Sequence, residues 1–224
     1  MNHLDVIRLS NINFMVKSGS FDLHILKDIS FSIKRGITIA VTGTSGSGKT
    51  SLLNIMAGLD LPTTGEVFYG EQEITKLSED ERAKLRARRV GFIFQSFQLL
   101  PNLTALENVM LPLEINHYEN PLKSADNWMN KVGLGNRAEH YPLQLSGGEQ
   151  QRVAIARAFA IEPDILFADE PTGNLDKQTG QTVTDLLFAL NAQHKTTLVI
   201  VTHDERLAER CQFQWRLNDG KLLC

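Results

Sequence analysis

The stretch GTSGSGKT, residues 43–50, constrains the fold of this 224-residue chain more than any other feature. It fits the pattern G-x-x-x-x-G-K-[ST]. It lies between ITIAVTG, an apolar run rich in β-branched residues, and SLLNIMAGL, whose apolar residues have helical spacing. A glycine-rich loop between a buried strand and a helix presents backbone N–H groups that can surround phosphates. A simple glycine-rich turn is the alternative, but the strand–loop–helix context favours a phosphate-binding loop.

The order of the elements predicts an α/β fold. Two strand-like stretches come first, DVIRLSNINFMV and LKDISFSIKRG, and strands and helices alternate after the loop. The later strands are GEVFYG, VGFIFQ, DILFADE and TTLVIVTHD, and the later helices are SEDERAKLRARR, QTGQTVTDLLFALNAQ and ERLAERC. Such alternation implies a mainly parallel sheet covered by helices. The start predicts an antiparallel β flank. The strand-free middle, about residues 97–160, predicts a helical subdomain inserted into a single domain of residues 1–224.

Composition argues against several classes of protein. The net charge of −3 gives no support for a nucleic-acid surface. No apolar run reaches the roughly 18 residues of a membrane span, and the start lacks the basic and apolar regions of a secretory signal. Cys211 and Cys224 are too few for a disulfide framework or a metal site, so we expect reduced thiols without a role.

Acidic residues end one of the predicted strands. DILFADE finishes with Asp169 and Glu170. Two acids at a strand end are usually solvated, but beside a phosphate-binding loop an aspartate is the expected partner of Mg²⁺. In such a site Lys49 reaches the β- and γ-phosphates, Thr50 binds Mg²⁺, and Glu170 is placed to orient or deprotonate water.

Two polar residues end other strands. His203 follows VIVT, and Gln95 ends GFIFQ. A lone histidine there is more often structural, and a lone glutamine is more often solvated. In a parallel sheet, however, the carboxyl ends of the strands meet at the ligand crevice. We therefore assign both residues to the same site as the phosphate-binding loop.

The stretch LQLSGGEQQRVAIARA begins a helix in an unusual way. Ser146 stands at the N-cap, and Glu149 lies three residues later, which makes a capping box. Gly147 and Gly148 then fill the first turn, although each glycine weakens a helix by about 1 kcal/mol relative to alanine. The capping box does not account for these glycines.

GTSGSGKT, Gln95, LSGGEQQ, ILFADE, GNLD and His203 occur in an order that resembles the motifs of ATP-binding cassette (ABC) ATPases. The resemblance covers the whole chain. Within that family, LPNLTALENVMLPL, SEDERAKLRARRVGFIFQSF and DEPTGNLD look most like the lipoprotein-release and macrolide-export subfamily.

The resemblance implies a head-to-tail homodimer that sandwiches two ATP molecules, with the phosphate loop of one subunit facing the LSGGE signature of the other. It implies that the glycines leave a bare helix N-terminus for the partner's nucleotide, and that Ser146 hydrogen-bonds the γ-phosphate. The implied nucleotide-binding residues are Gly43, Thr44, Ser45, Gly46, Ser47, Gly48, Lys49, Thr50 and Ser51, with Val16, Ser146, Gly147, Gly148 and Glu149. The implied Mg²⁺ ligands are Thr50, Gln95 and Asp169, and the implied catalytic residues are Glu170, His203 and Gln95.

The adenine platform departs from the family pattern. The family usually stacks the base on an aromatic residue, and the equivalent place falls on Val16. Phe14 and Phe21 lie nearby in the sequence and offer rings instead. Because stacking on an aromatic side chain contributes about 1–3 kcal/mol, we expect weaker base recognition in this chain.

The segment Gln95–Leu113 has two readings. Its leucines belong to the core of the helical subdomain, and the same segment also suits a groove for the coupling helix of a membrane permease. The resemblance therefore implies an ATP-hydrolysing subunit that lies peripherally on the cytoplasmic face of the inner membrane. Its permease would perform export or lipid and lipoprotein extraction. The alternatives are a related ATPase acting on DNA or the ribosome, and a regulatory module without turnover.

Overall fold

The computed structural model describes residues 5–19 and 21–223. The described residues form two compact units, which divide between Arg86 and Ala87 and between Thr196 and Thr197. In chain order the elements are β1 (Asp5–Ser18), β2 (Phe21–Lys34), β3 (Thr38–Thr42), α1 (Lys49–Met56), β4 (Thr64–Tyr69), β5 (Gln72–Glu73), α2 (Glu79–Arg89), β6 (Val90–Phe94), α3 (Ala105–Ile115), α4 (Pro121–Lys131), α5 (Gly147–Ala160), β7 (Ile165–Asp169), α6 (Lys177–His194), β8 (Thr197–Val201), α7 (Glu205–Glu209), β9 (Phe213–Asn218) and β10 (Lys221–Leu223).

The first unit contains the antiparallel flank. Its strands lie in the order β2-β1-β4-β5, and every neighbouring pair is antiparallel. Ile7, Leu9 and, beyond a register shift, Ile12 of β1 are buried, whereas Arg8 and Asn11 are exposed. The strand therefore buries one side against the core and leaves the other in solvent. The predicted antiparallel β flank is confirmed.

The same unit contains the strand that leads to the phosphate loop. β3 pairs in parallel with β8 on one side and with β9 on the other. Ile39, Ala40 and Val41 of β3 have no exposed surface, as expected for a parallel strand covered on both faces. α1 follows the loop and buries Leu52, Leu53, Ile55 and Met56.

The second unit combines a parallel strand pair with helices. β6 pairs with β7 in parallel, from Val90 opposite Ile165 to Phe94 opposite Asp169. Gly91 lets α5 approach β6 closely, because a Cβ there would lie 2.6 Å from the carbonyl oxygen of Ala158. Residues 97–160 hold α3, α4, α5 and two short 3₁₀ turns, without a strand. The mixed α/β class is confirmed, whereas the bounds of a helical subdomain and of a single domain stay predictions.

Two observations concern features expected from composition. Within the described ranges, no helix has both the length and the apolar character needed to cross a bilayer. Cys211 is buried, and burial raises the pKa of its thiol to about 11, so the thiol is unreactive at neutral pH. Cys224 lies outside the described residues.

Candidate functional site

The phosphate loop in the first unit requires glycine at two positions. A Cβ on Gly43 would lie 2.2 Å from the carbonyl oxygen of Leu217 in β9, so no side chain fits there. Gly48 has a φ of 100° at the N-cap of α1, and its Cβ would lie 3.1 Å from the carbonyl oxygen of Ile25. Backbone packing therefore shapes the loop independently of any ligand.

The interior of the loop fits an oxygen-rich ligand. The Lys49 ammonium donates to the carbonyl oxygens of Gly43 and Thr44, each at 2.9 Å. The buried hydroxyl of Ser47 has no hydrogen-bond partner among the described residues. A buried polar atom without a partner costs about 1–3 kcal/mol, which a phosphate oxygen would recover. A cation and an orphan hydroxyl at a helix N-terminus suit a nucleotide's phosphates.

His203 lies beside the start of this loop. It follows β8, it is exposed, and it lines the same cleft as Thr42, Gly43 and Thr44. The cleft has a volume of about 530 Å³, and α7 and β9 supply its other walls. The structure thus brings together the histidine and the phosphate loop that the sequence assigned to one site.

Val16 occupies the exposed end of the β1–β2 hairpin. It pairs with Leu23, and it is 43% exposed. Phe21 lies two residues before Leu23, hence on the same face of the hairpin, and it is 79% exposed. Phe14 pairs with Leu26 and is half-buried. The assignment of Val16 as the adenine platform stays a prediction, and Phe21 is the ring that shares its face.

The second unit holds the other predicted catalytic residues. Asp169 ends β7 opposite Phe94, so Gln95 and Glu170 both begin the segments that leave the same end of the strand pair. Glu170 has a φ of 45°, and its carbonyl oxygen accepts from the N–H of Gly173 at 3.0 Å. The structure therefore gathers Gln95, Asp169 and Glu170 at one end of two parallel strands.

Gln95 has a partner that sequence reasoning missed. Its Nε2 donates to Oδ1 of Asn174 at 3.2 Å, and Nδ2 of Asn174 donates to the carbonyl oxygen of Gln95 at 3.0 Å. Gly173 makes room for this pair, because a Cβ there would lie 2.9 Å from Nε2 of Gln95. The sequence signal is the short amide that follows a glycine in GNLD, but nothing local connects it to Gln95.

The capping box at the start of α5 is confirmed. Oγ of Ser146 accepts from the N–H of Glu149 at 3.3 Å, and Oε2 of Glu149 accepts from the N–H of Ser146 at 2.8 Å. Oε1 of Glu149 lies 3.2 Å from Nε of Arg137. Hydrogen bonds from the backbone and hydroxyl of Ser146, together with Arg137, lower the pKa of Glu149, so the box is charged at neutral pH.

The two signature glycines have neighbours in their own chain. A Cβ on Gly148 would lie 2.3 Å from Cγ2 of Thr179 in α6. A Cβ on Gly147 would lie 3.3 Å from Leu175 and 3.6 Å from the ring of Phe97. Sequence reasoning explained the glycines by a partner's nucleotide alone. That interpretation is incomplete, because Gly148 also allows α5 and α6 to approach closely.

A second concave surface lies wholly in the second unit. This groove has a volume of about 300 Å³ and lies between the end of α2, β6, α3 and α5. Pro112 and Ile115 of α3 lie along it, together with Gln98 and Arg157. Its lining is mostly apolar, and Ile115 is exposed. It overlaps the segment Gln95–Leu113 that the sequence assigned to a permease contact.

Comparison with known proteins identifies the family. The family model described as "ABC transporter" matches residues 26–173, which include the phosphate loop, the signature and the acidic strand end. The chain is 51% identical over 220 residues to the uncharacterized ABC transporter ATP-binding protein YbbA of Escherichia coli K12, covering 97% of this chain and 96% of that protein.

Further relatives have more informative names. The lipoprotein-releasing system ATP-binding protein LolD of Francisella tularensis is 46% identical, in an alignment that covers 97% of this chain and 95% of that protein. The macrolide export ATP-binding/permease protein MacB of Syntrophobacter fumaroxidans is 43% identical, in an alignment that covers 97% of this chain and 31% of that protein. The dimeric, post-hydrolysis structure of the ATP-binding cassette MJ0796 with ADP and Pi has a TM-score of 0.89 and 41% identity, with 97% of each chain covered.

Proposed function

This chain belongs to the ABC transporter family and is an ATP-hydrolysing subunit of the YbbA-, LolD- and MacB-like group. On that premise we propose that two copies sandwich two ATP molecules and drive a separate membrane permease. The observation that carries the proposal is the phosphate loop, which holds both the cation of Lys49 and the orphan hydroxyl of Ser47. The solved relative is itself dimeric and bound to ADP and Pi, which supports the same assembly for this chain.

Within the proposed site, Lys49 exchanges the carbonyl oxygens of Gly43 and Thr44 for the β- and γ-phosphates. Thr50, Asp169 and Gln95 would hold Mg²⁺, and the ion would neutralise charge that develops on the phosphates. The described ranges contain no group of three or more His, Cys, Asp or Glu residues that could hold a metal ion unaided. A Mg²⁺ site built largely from phosphates, waters and one or two protein oxygens needs no such group.

The remaining residues act on water and on the γ-phosphate. Glu170, at the end of β7, orients the attacking water and accepts its proton. His203, beside the start of the phosphate loop, contacts the γ-phosphate. We assign Ser146 and Gly148 of the facing subunit to the same site: Ser146 is exposed at the start of α5 and presents its hydroxyl, whereas the buried Gly148 would contribute only its backbone N–H.

The groove in the second unit suits a permease segment. Its lining is mostly apolar, and its polar residues are Gln98, Asn116 and Arg157. An amphipathic helix fits such a surface by placing its apolar face in the groove. We therefore infer that the coupling helix of the permease binds here, and that the chain lies peripherally on the cytoplasmic face of the inner membrane.

The names of two relatives support a proposal for the class of cargo. The names of LolD and MacB describe lipoprotein release and macrolide export. We infer a cargo of a related class, extracted or exported by the permease. The rival targets, DNA and the ribosome, find no support in a net charge of −3.

Glu170→Gln tests the enzymatic assignment. The amide keeps the shape of the side chain but cannot accept a proton, so ATP turnover should fall about a hundredfold or more while ATP binding remains. The variant should then accumulate an ATP-dependent dimer on size exclusion chromatography. Glu71→Gln, in the exposed turn between β4 and β5, is the matched control and should hydrolyse ATP normally. Near-normal phosphate release by Glu170→Gln would sink the role of Glu170.

A further inference from the structure

The segment after Gln95 has an unusual backbone. Phe97 and Gln98 are consecutive non-glycine residues with φ angles of 61° and 47°. Residues other than glycine rarely adopt this left-handed backbone conformation, and it persists only where surrounding contacts stabilise it. Two tight hydrogen bonds accompany it: the N–H of Phe97 donates to the carbonyl of Phe94 at 3.1 Å, and the N–H of Gln98 donates to that of Ser96 at 2.6 Å.

The guanidinium of Arg157 in α5 hydrogen-bonds two backbone carbonyls of this segment. Its Nη1 donates to the carbonyl oxygen of Gln98 at 2.6 Å, and its Nη2 donates to that of Phe97 at 3.0 Å. Burial lowers the pKa of the guanidinium because desolvation penalises the charged form, and hydrogen-bond partners inside the protein offset that penalty. The carbonyls of Phe97 and Gln98 supply those partners, and both belong to residues with the left-handed backbone.

The segment also touches the start of the same helix. The Phe97 ring lies 3.6 Å from where a Cβ of Gly147 would stand, next to Leu175. At its other end the segment is fixed by the reciprocal amide contacts of Gln95 with Asn174. Residues 95–98 therefore connect the strand end that carries Gln95 with the helix start that carries Ser146.

We propose that Arg157 is a positioning residue: by fixing the left-handed backbone at Phe97 and Gln98, it keeps the Phe97 ring against Gly147 and so sets the orientation of Ser146 for the facing nucleotide. This role rests on the proposed function, since it assumes that Ser146 acts on the partner's ATP. Arg157 itself contacts no reacting atom. Its effect is on the geometry of the signature, and it leaves the phosphate loop of its own subunit unchanged.

The first test is Arg157→Met, which keeps an unbranched apolar stem and removes both donors. Amide hydrogen exchange at Phe97 and Gln98 should accelerate at least tenfold in the chain without nucleotide. The kcat for ATP should fall at least fivefold in the isolated cassette, without any permease. The Kd for ADP, which the phosphate loop of one subunit binds, should stay within twofold. Unchanged exchange or an unchanged kcat overturns the proposal.

The second test is a rescue with a matched control. Glycine adopts a positive φ without strain and alanine does not, while both remove the Gln98 side chain. Arg157→Met with Gln98→Gly should therefore recover at least half of the lost kcat and slow the exchange of Phe97. Arg157→Met with Gln98→Ala should recover neither. Equal behaviour of the two double variants would show that backbone conformation is not the link.

A further variant covers the case in which Arg157→Met fails to fold. Arg157→Lys keeps the charge and can donate to one carbonyl at a time, so exchange and kcat should change in the same direction but less. A folded Arg157→Lys with wild-type exchange and kcat contradicts the proposal. The exchange measurement needs no ATP, whereas a wild-type chain without ATPase activity would refute the proposed function itself. The two failures are therefore distinguishable.

Discussion

At the scale of single residues, the clearest departure from the family lies at Val16. Val16→Tyr places a ring on the exposed face of the hairpin that also carries Phe21 and Leu23. Stacking on adenine contributes about 1–3 kcal/mol, and the low end of that range corresponds to about fivefold tighter ATP binding. Competition titrations with ATP and GTP measure the gain and its base preference.

The matched control for this change is Met15→Tyr. Met15 pairs with His24 on the opposite face of the hairpin, and it is 43% exposed, the same as Val16. The Met15→Tyr variant should leave the Kd for ATP unchanged. An equal gain for both variants indicates a nonspecific effect of the ring, and no gain for Val16→Tyr moves the platform to Phe21 or Phe14.

The outcome of sequence reasoning at this scale depends on distance along the chain. The capping box of Ser146 and Glu149 was predictable because both residues lie within one helical turn. The contact of Arg157 with Phe97 spans 60 positions, and that of Gln95 with Asn174 spans 79. No local pattern marks such pairs, because only the packed fold brings them together.

At the scale of elements, the C-terminal end of α6 predicts a pH dependence. The ring centroid of His194 lies 5.1 Å from that of Trp128 in α4 and 6.0 Å from that of Phe159 in α5. Burial, with a smaller contribution from Lys131, lowers the pKa of His194 below the ordinary 6.5, and Glu162 opposes this shift. Below about pH 6.5 the unfolded chain therefore takes up the proton first.

Because of this order of protonation, the free energy of unfolding should decrease as the pH falls. The stability that neutral His194 contributes is complete above pH 6.5, and it is lost as the pH falls through the lowered pKa of the folded state. His194→Gln removes the titration, so its free energy of unfolding should change less between pH 7 and about pH 5 than that of the wild type. Urea denaturation at several pH values measures both slopes. Parallel slopes would mean that His194 does not contribute.

The strands illustrate what patterns predict at this scale. The buried runs of β3, β7 and β8 are continuously apolar, so they were recognisable without tertiary information. β9 was missed because Leu217 is its only fully buried residue, which leaves no apolar pattern. The Asp219–Gly220 turn between β9 and β10, with positive φ at both residues, was the usable hairpin signal. β5 has two residues, too few for any pattern.

At the scale of the whole molecule, the central question is whether the signature acts on the ATP of its own subunit or on that of its partner. Lys49 lies in the first unit and Ser146 in the second, and Ser146 is exposed. Lys49→Ala removes the cation of the phosphate loop. Ser146→Arg fills the exposed start of α5 and blocks a facing nucleotide. Each homodimer should be nearly inactive, because every composite site then carries a lesion.

The mixed dimer separates the two arrangements. If the signature acts on the partner's ATP, one site of the Lys49→Ala and Ser146→Arg heterodimer carries both lesions and the other site is intact. Phosphate release from tagged, purified heterodimers should then rise several-fold above both parents, within the limits set by coupling between the sites. If the signature acts within its own subunit, each site keeps one lesion and mixing restores nothing. A heterodimer of wild type with Lys49→Ala is the control, since it also has one intact site. Activity in this control combined with an inactive double heterodimer would exclude the proposed sandwich, because strict coupling between two sites would have silenced both.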